Sequence, residues 1–141
     1  MKYIPLLLCL LLSLNIDAQS EQKQYDWNEF VSSYNAERMM EGKLDTLFHF
    51  FGSMYSTNTE IIEGRNEMLF GILYTGDVAL FMRTLQGNVN VDFVLEEMKT
   101  PVHDGIDIKS CLLRVKAVRR NKKIKNRIMD NLTLAEKKYG N

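Results

Sequence analysis

The residues best suited to do chemistry lie in one short loop. Pro101-Val102-His103-Asp104-Gly105 sets a histidine beside an aspartate, with Glu96, Glu97 and Asp107 near it in sequence. Carboxylates around a loop histidine raise its pKa and orient its ring, which suits a general base or a metal ligand. Cys111 follows a few residues later, and cysteine, histidine and an acid together suffice for acyl transfer. His103 and Asp104 therefore form the candidate loop site, and His103 with Cys111 the centre of an enzymatic reading. The same residues also have purely structural roles. Asp104-Gly105 is a turn pair, Asp107 can cap a following helix, and Cys111 sits in an apolar run that suits a buried small hydrophobe.

Nothing else in the chain supports catalysis. G-x-S-x-G, G-x-x-x-x-G-K-[ST], H-E-x-x-H and C-x-x-C are all absent, as are calcium-loop spacings. No catalytic residue, cofactor or metal site is assigned. His49, in Leu47-Phe48-His49-Phe50-Phe51, falls beside an aromatic face and is expected at the margin of a core.

A formal net charge of +0 over 141 residues argues at first against an electrostatic partner. The charge is unevenly spread, however. Residues 19–110 hold 7 Lys and Arg against 15 Asp and Glu, net −8, whereas residues 111–141 hold 10 against 2, net +8. Within the basic part, Arg114, Lys116, Arg119, Arg120, Lys122, Lys123, Lys125 and Arg127 contain no acid among them. This run is a candidate basic patch. Either it packs across the acidic body or it stays open to an anionic surface such as lipid head groups or lipopolysaccharide. Nucleic acid is excluded as a partner by the expected compartment and by the lack of aromatics interleaved for base stacking.

That compartment is read from the first residues. Lys2, the apolar run Ile4 to Leu14, and a polar exit ending at Ala18 follow the tripartite plan of a secretory signal peptide. The run is about half the ~20 residues a membrane span needs. Cys9 lies inside the run and not at its end, which argues against lipid modification. The sequence thus predicts a cleaved signal peptide over residues 1–18 and one domain over residues 19–141, secreted or periplasmic, with no transmembrane segment in the mature chain. One cysteine, Cys111, then remains, so no internal disulfide can form, and a 123-residue domain must rely on its core.

The elements that position these residues are helical. Asp26, with Glu29 three residues on, marks a helix start, and Trp27, Phe30, Val31 and Tyr34 form its stripe up to a stop at Gly42. A second helix is expected from Asp45, with Leu47, Phe48, Phe51, Met54 and Tyr55 on one face. Phe48, Phe50 and Phe51 cover more than one face of a helix, which predicts one of them turned away from the core. Ile61, Ile62, Met68, Leu69, Ile72 and Leu73 give a third stripe, interrupted at Gly64. Asp77 caps a fourth helix that ends at Gly87, and Asn90 caps a short one before Pro101. Asp107 caps a helix carrying Ile108, Cys111, Leu112, Val115 and Val118. A last helix, from about Asn121 to Tyr139, carries Ile124, Ile128, Leu132, Ala135 and Tyr139. Asn131-Leu132-Thr133 inside it matches a glycosylation sequon by chance.

The fold class read from these patterns is all-α, a compact bundle of six to seven short helices. The alternative is α+β, with a hairpin around residues 68–82 turning at Gly76-Asp77. The function that follows is a non-catalytic binding or interaction protein of the cell envelope or extracellular space. Its partner would be a protein or an anionic envelope component. A second reading is a carrier of a small apolar ligand in a cavity of aromatics (Trp27, Phe30, Tyr34, Phe48, Phe50, Phe51, Tyr55) and of Met39, Met40, Met54 and Met68. A third is a small hydrolase centred on His103 and Cys111.

Overall fold

The structure is a computed structural model, and it describes residues 25–140; the signal peptide read over residues 1–18 lies outside them. Seven α-helices and no strand occur among the described residues. They are α1 (Trp27–Ser32), α2 (Glu41–His49), α3 (Thr59–Thr75), α4 (Val78–Gln86), α5 (Val91–Glu97), α6 (Ile108–Ala117) and α7 (Lys122–Tyr139), with 3-10 turns at Ala36–Arg38 and Ser53–Tyr55. The all-α class is therefore correct. None of the helices among the described residues is long and apolar enough to cross a membrane.

The hairpin alternative over residues 68–82 is overturned. α3 buries Met68, Leu69, Ile72 and Leu73, and α4 buries Val78, Phe81, Met82 and Leu85. Both sets follow the helical spacing of three and four, which a two-residue strand period would split across two faces. Asp77 Oδ1 accepts from the Leu80 amide at 2.9 Å, so the turn is a helix stop followed at once by a capped start.

The first half of the chain departs from expectation at several places. α1 ends at Ser32, well before Gly42, because the Ser32 and Ser33 hydroxyls bond back to the Glu29 and Phe30 carbonyls. Lys43 Nζ satisfies the Ser33 carbonyl at 2.7 Å. Gly42 does not stop a helix; it lies in the first turn of α2, which starts at Glu41 and not near Asp45. Leu44, Leu47 and Phe48, all fully buried, pull that whole segment into register.

α2 in turn ends at His49, earlier than its aromatic run suggests. The amides of Phe50, Phe51 and Gly52 bond to the carbonyls of Leu47, Phe48 and His49, a tightening into i to i+3 bonds. That turn swings Phe50 and Phe51 inward, so all three phenylalanines are buried and none points away from the core. Each such ring stabilises by about 1.5–3 kcal/mol. Met54 is the residue left outside, 55% exposed in the 3-10 turn.

α3 is not interrupted at Gly64. A Cβ there would stand 2.5 Å from Trp27 Cζ2, so the glycine lets the indole of α1 close onto α3. Asn90 makes no side-chain cap; its Nδ2 instead donates to the Phe48 carbonyl at 3.0 Å and pins the start of α5 to the end of α2. α6 packs on α3 and α7, α2 packs on α4, and α7 also meets α4 and α5. The core runs through all of them, from Leu44, Leu47 and Phe48 to Ile124, Ile128 and Leu132.

Candidate binding surface

The basic run divides into two groups. Arg114 donates to the Leu73 and Gly76 carbonyls at 3.0 and 2.7 Å, closing the C-terminal end of α3. Lys125 Nζ donates to the Lys116 and Val118 carbonyls at 2.7 and 2.8 Å, doing the same for α6. Both place a cation where the helix dipole is negative. Arg127 pairs with Asp92 at the start of α5. These three are used inside the fold.

Lys116, Arg119, Arg120, Lys122 and Lys123 are exposed, and none of their side chains makes a hydrogen bond or ion pair among the described residues. They crowd the turn between α6 and α7, which the Lys125 bonds draw tight. Asn121, at the head of α7, is in the left-handed region (φ 55°), and its side chain caps nothing. The first turn of α7 thus has free amide donors and no acidic residue. Lys122 and Lys123 sit at the positive end of the helix dipole, where cations are unfavourable. The basic residues do not pack across the acidic body as a block; only Arg127 meets a carboxylate.

The loop site is arranged differently from its sequence neighbourhood. His103 Nε2 lies 3.6 Å from Glu67 Oε1, on α3, and both side chains are more than half exposed. Glu96 and Glu97 are directed elsewhere. Glu96 pairs with Lys99, whereas Glu97 is buried against Arg65. Asp107 caps α6, where bonds from the Ser110 hydroxyl and amide hold its carboxyl below the ordinary range. Asp104 is exposed at the edge of an adjoining cleft with Lys109 and Glu136.

Cys111 lines the same cleft of about 390 Å³ as His103, but its sulfur is buried and donates to the Phe70 carbonyl at 3.8 Å. Burial pushes its thiol up to about 12, and the thiol is the unreactive form. His103 and Cys111 make no hydrogen bond to each other among the described residues. No group of three or more His, Cys, Asp or Glu among these residues is placed to hold a metal ion. His49 sits at the core margin between Tyr25 and Tyr55, ring centroids 4.8 and 5.7 Å away, and burial lowers its pKa.

The polar network that holds the loop was not foreseen from the sequence. Arg65 Nε and Nη2 meet both Glu97 oxygens at 2.7–3.1 Å, and Nη1 donates to the Phe50 carbonyl. Asn66, 1% exposed, donates to the Thr100 carbonyl and accepts from the Val102 amide. Together they fasten the segment before His103 to α3. The only advance signal was an arginine and an asparagine inside an otherwise apolar helical stripe. Of the aromatic and methionine set, Trp27, Tyr34 and Met68 line one groove between α1 and α3, and the rest is divided between core and surface. Met39 and Met68 are buried, Met40 and Met54 are exposed, and Phe30, Phe48, Phe50 and Phe51 are all in the core. No protein-family model, no curated protein and no solved structure matches this chain.

Proposed function

We propose that the protein is a non-catalytic binding protein of the cell envelope that docks onto a phosphate-bearing anionic surface through the corner between α6 and α7. One observation carries this reading: five cations within the eight residues 116–123, none with a side-chain partner in the fold, flank the uncapped, positive end of a long helix. Two of those cations weaken the helix they begin, so an external anion is the partner that would offset them. The pattern of residues 1–18, read as an export signal, supports an envelope lipid or lipopolysaccharide as the source of the phosphate.

Each Lys or Arg near such a surface contributes about 1 kcal/mol, so the corner supports weak, reversible and salt-sensitive docking. The test is cosedimentation of the chain lacking residues 1–18 with vesicles of phosphatidylcholine, with and without phosphatidylglycerol. Retention on the anionic vesicles is expected at about 0.01 M salt, where screening reaches about 30 Å, and should fall at about 0.15 M, where it reaches about 8 Å. Replacing all five cations by glutamine should abolish it. Equal retention on neutral and anionic vesicles at low salt overturns the reading.

A further inference from the structure

α3 carries Glu60, Gly64, Glu67 and Gly71 at steps of four, three and four, so they share one face of the helix. α1 and the turn after it close on that face. At Gly64 the Trp27 indole occupies the space a Cβ would take, and at Gly71 a Cβ would stand 3.1 Å from the Tyr34 hydroxyl. Tyr34 is fixed there, donating to the Met68 carbonyl at 3.0 Å. Beside these contacts lies a groove of about 470 Å³ lined by Trp27, Val31, Tyr34, Met68 and the two glycines, with Glu60 and Glu67 as its carboxylates.

No lysine, arginine or histidine lines this groove. The Glu60 side chain has no hydrogen bond or ion pair among the described residues, and that of Glu67 has only the 3.6 Å approach of His103 from the neighbouring cleft. The volume is that of a small-molecule site. Aromatic rings beside carboxylates that no lysine or arginine pairs attract a positive charge attached to an apolar body, through the ring quadrupole and the anion together. We infer that the groove between α1 and α3 binds a small organic cation, an aryl or alkyl ammonium. The ammonium sits between Glu60 and Glu67, and the apolar body lies against Trp27 and Val31.

The chain contains one tryptophan, and it is in the wall of this groove. Its emission therefore reports occupancy directly. The full chain is titrated at constant ionic strength with benzyltrimethylammonium, with benzyl alcohol as the neutral analogue and phenylmethanesulfonate as the anionic one. A saturable change in emission is expected with the ammonium, at least about tenfold weaker with the alcohol, and none with the sulfonate. E60Q/E67Q, which alters only exposed side chains, should weaken ammonium binding by about tenfold or more. Three results overturn the inference: no saturable response to the ammonium, equal affinity for the alcohol, or unchanged affinity in the variant. The comparison of the three probes on the unmodified chain decides the matter even if the variant fails to fold.

Discussion

Arg65 on α3 and Glu97 on α5 form a two-pronged ion pair inside the protein, their side chains 8% and 13% exposed. The arginine also stacks over the Phe51 ring, 5.0 Å from its centroid. The pair joins the helix that supports the groove to the segment that carries His103. Burial raises the Glu97 pKa in spite of Arg65, so desolvation outweighs the attraction at that carboxyl.

Arg65→Met should therefore destabilise the fold by about 3–5 kcal/mol, since it leaves Glu97 buried without its cation. Arg65→Met/Glu97→Leu should recover much of that loss. A carboxyl whose folded pKa lies above its unfolded value favours the folded state most below the unfolded pKa, and this is lost as pH rises through the folded pKa. The penalty of the single variant should thus be larger at pH 7 than at pH 4. Urea unfolding of the three proteins at both values checks this; a penalty independent of pH would contradict it.

Two glycines inside helices should respond oppositely to alanine. At Gly64 the added Cβ meets a rigid indole at 2.5 Å, so α1 must move. The strain, about 1–3 kcal/mol, exceeds the helix-propensity gain of about 1 kcal/mol. Gly64→Ala should lower stability and shift the Trp27 emission to the red. Gly42 has nothing within 4 Å of its Cβ position. Gly42→Ala should stabilise by about 0.5–1 kcal/mol. Thermal unfolding of both variants gives the signs.

The Cys111 thiol, pushed up to about 12 by burial, should resist alkylation at pH 8 in the native protein and react fully in denaturant. The neutral thiol favours the folded state below the ordinary thiol value of about 8.5, and that contribution is lost as pH rises toward the folded one. Stability of the unmodified protein should fall between these limits more steeply than that of Cys111→Ala. Rapid native labelling would show that the cleft admits reagent to the sulfur.

Lys122 separates stability from docking. Lys122→Glu puts an acid at the positive end of α7 and should stabilise by about 0.3–1 kcal/mol at low salt. The same change should weaken retention on phosphatidylglycerol vesicles. A variant that binds as well as the parent would remove the α6–α7 corner from the docking surface.

Most of the helices could be read from the sequence, because caps and apolar stripes are local. Asp26, Asp77 and Asp107 each cap the helix expected, through a bond to an amide three residues on. Of the last helix's stripe, Ile124, Ile128, Leu132 and Ala135 are buried, and Tyr139 packs partly buried against the core. The separation of charge along the chain is likewise a property of the sequence, as is the absence of recognised catalytic motifs.

What only the tertiary structure decided depends on contacts between residues far apart in the chain. Glycine is a helix stop by local propensity, yet Gly64 stays helical because Trp27 needs its space. Phe50 and Phe51 look like surplus faces of one helix until the turn after His49 directs both inward. Glu97 is nearer His103 in sequence, yet Glu67 is its neighbour in space, because Arg65 draws Glu97 into the interior. In the basic run, each cation's role depends on which helix end lies beside it. Arg114 and Lys125 meet open carbonyls, Arg127 meets Asp92, and the side chains of the other five make no hydrogen bond or ion pair among the described residues.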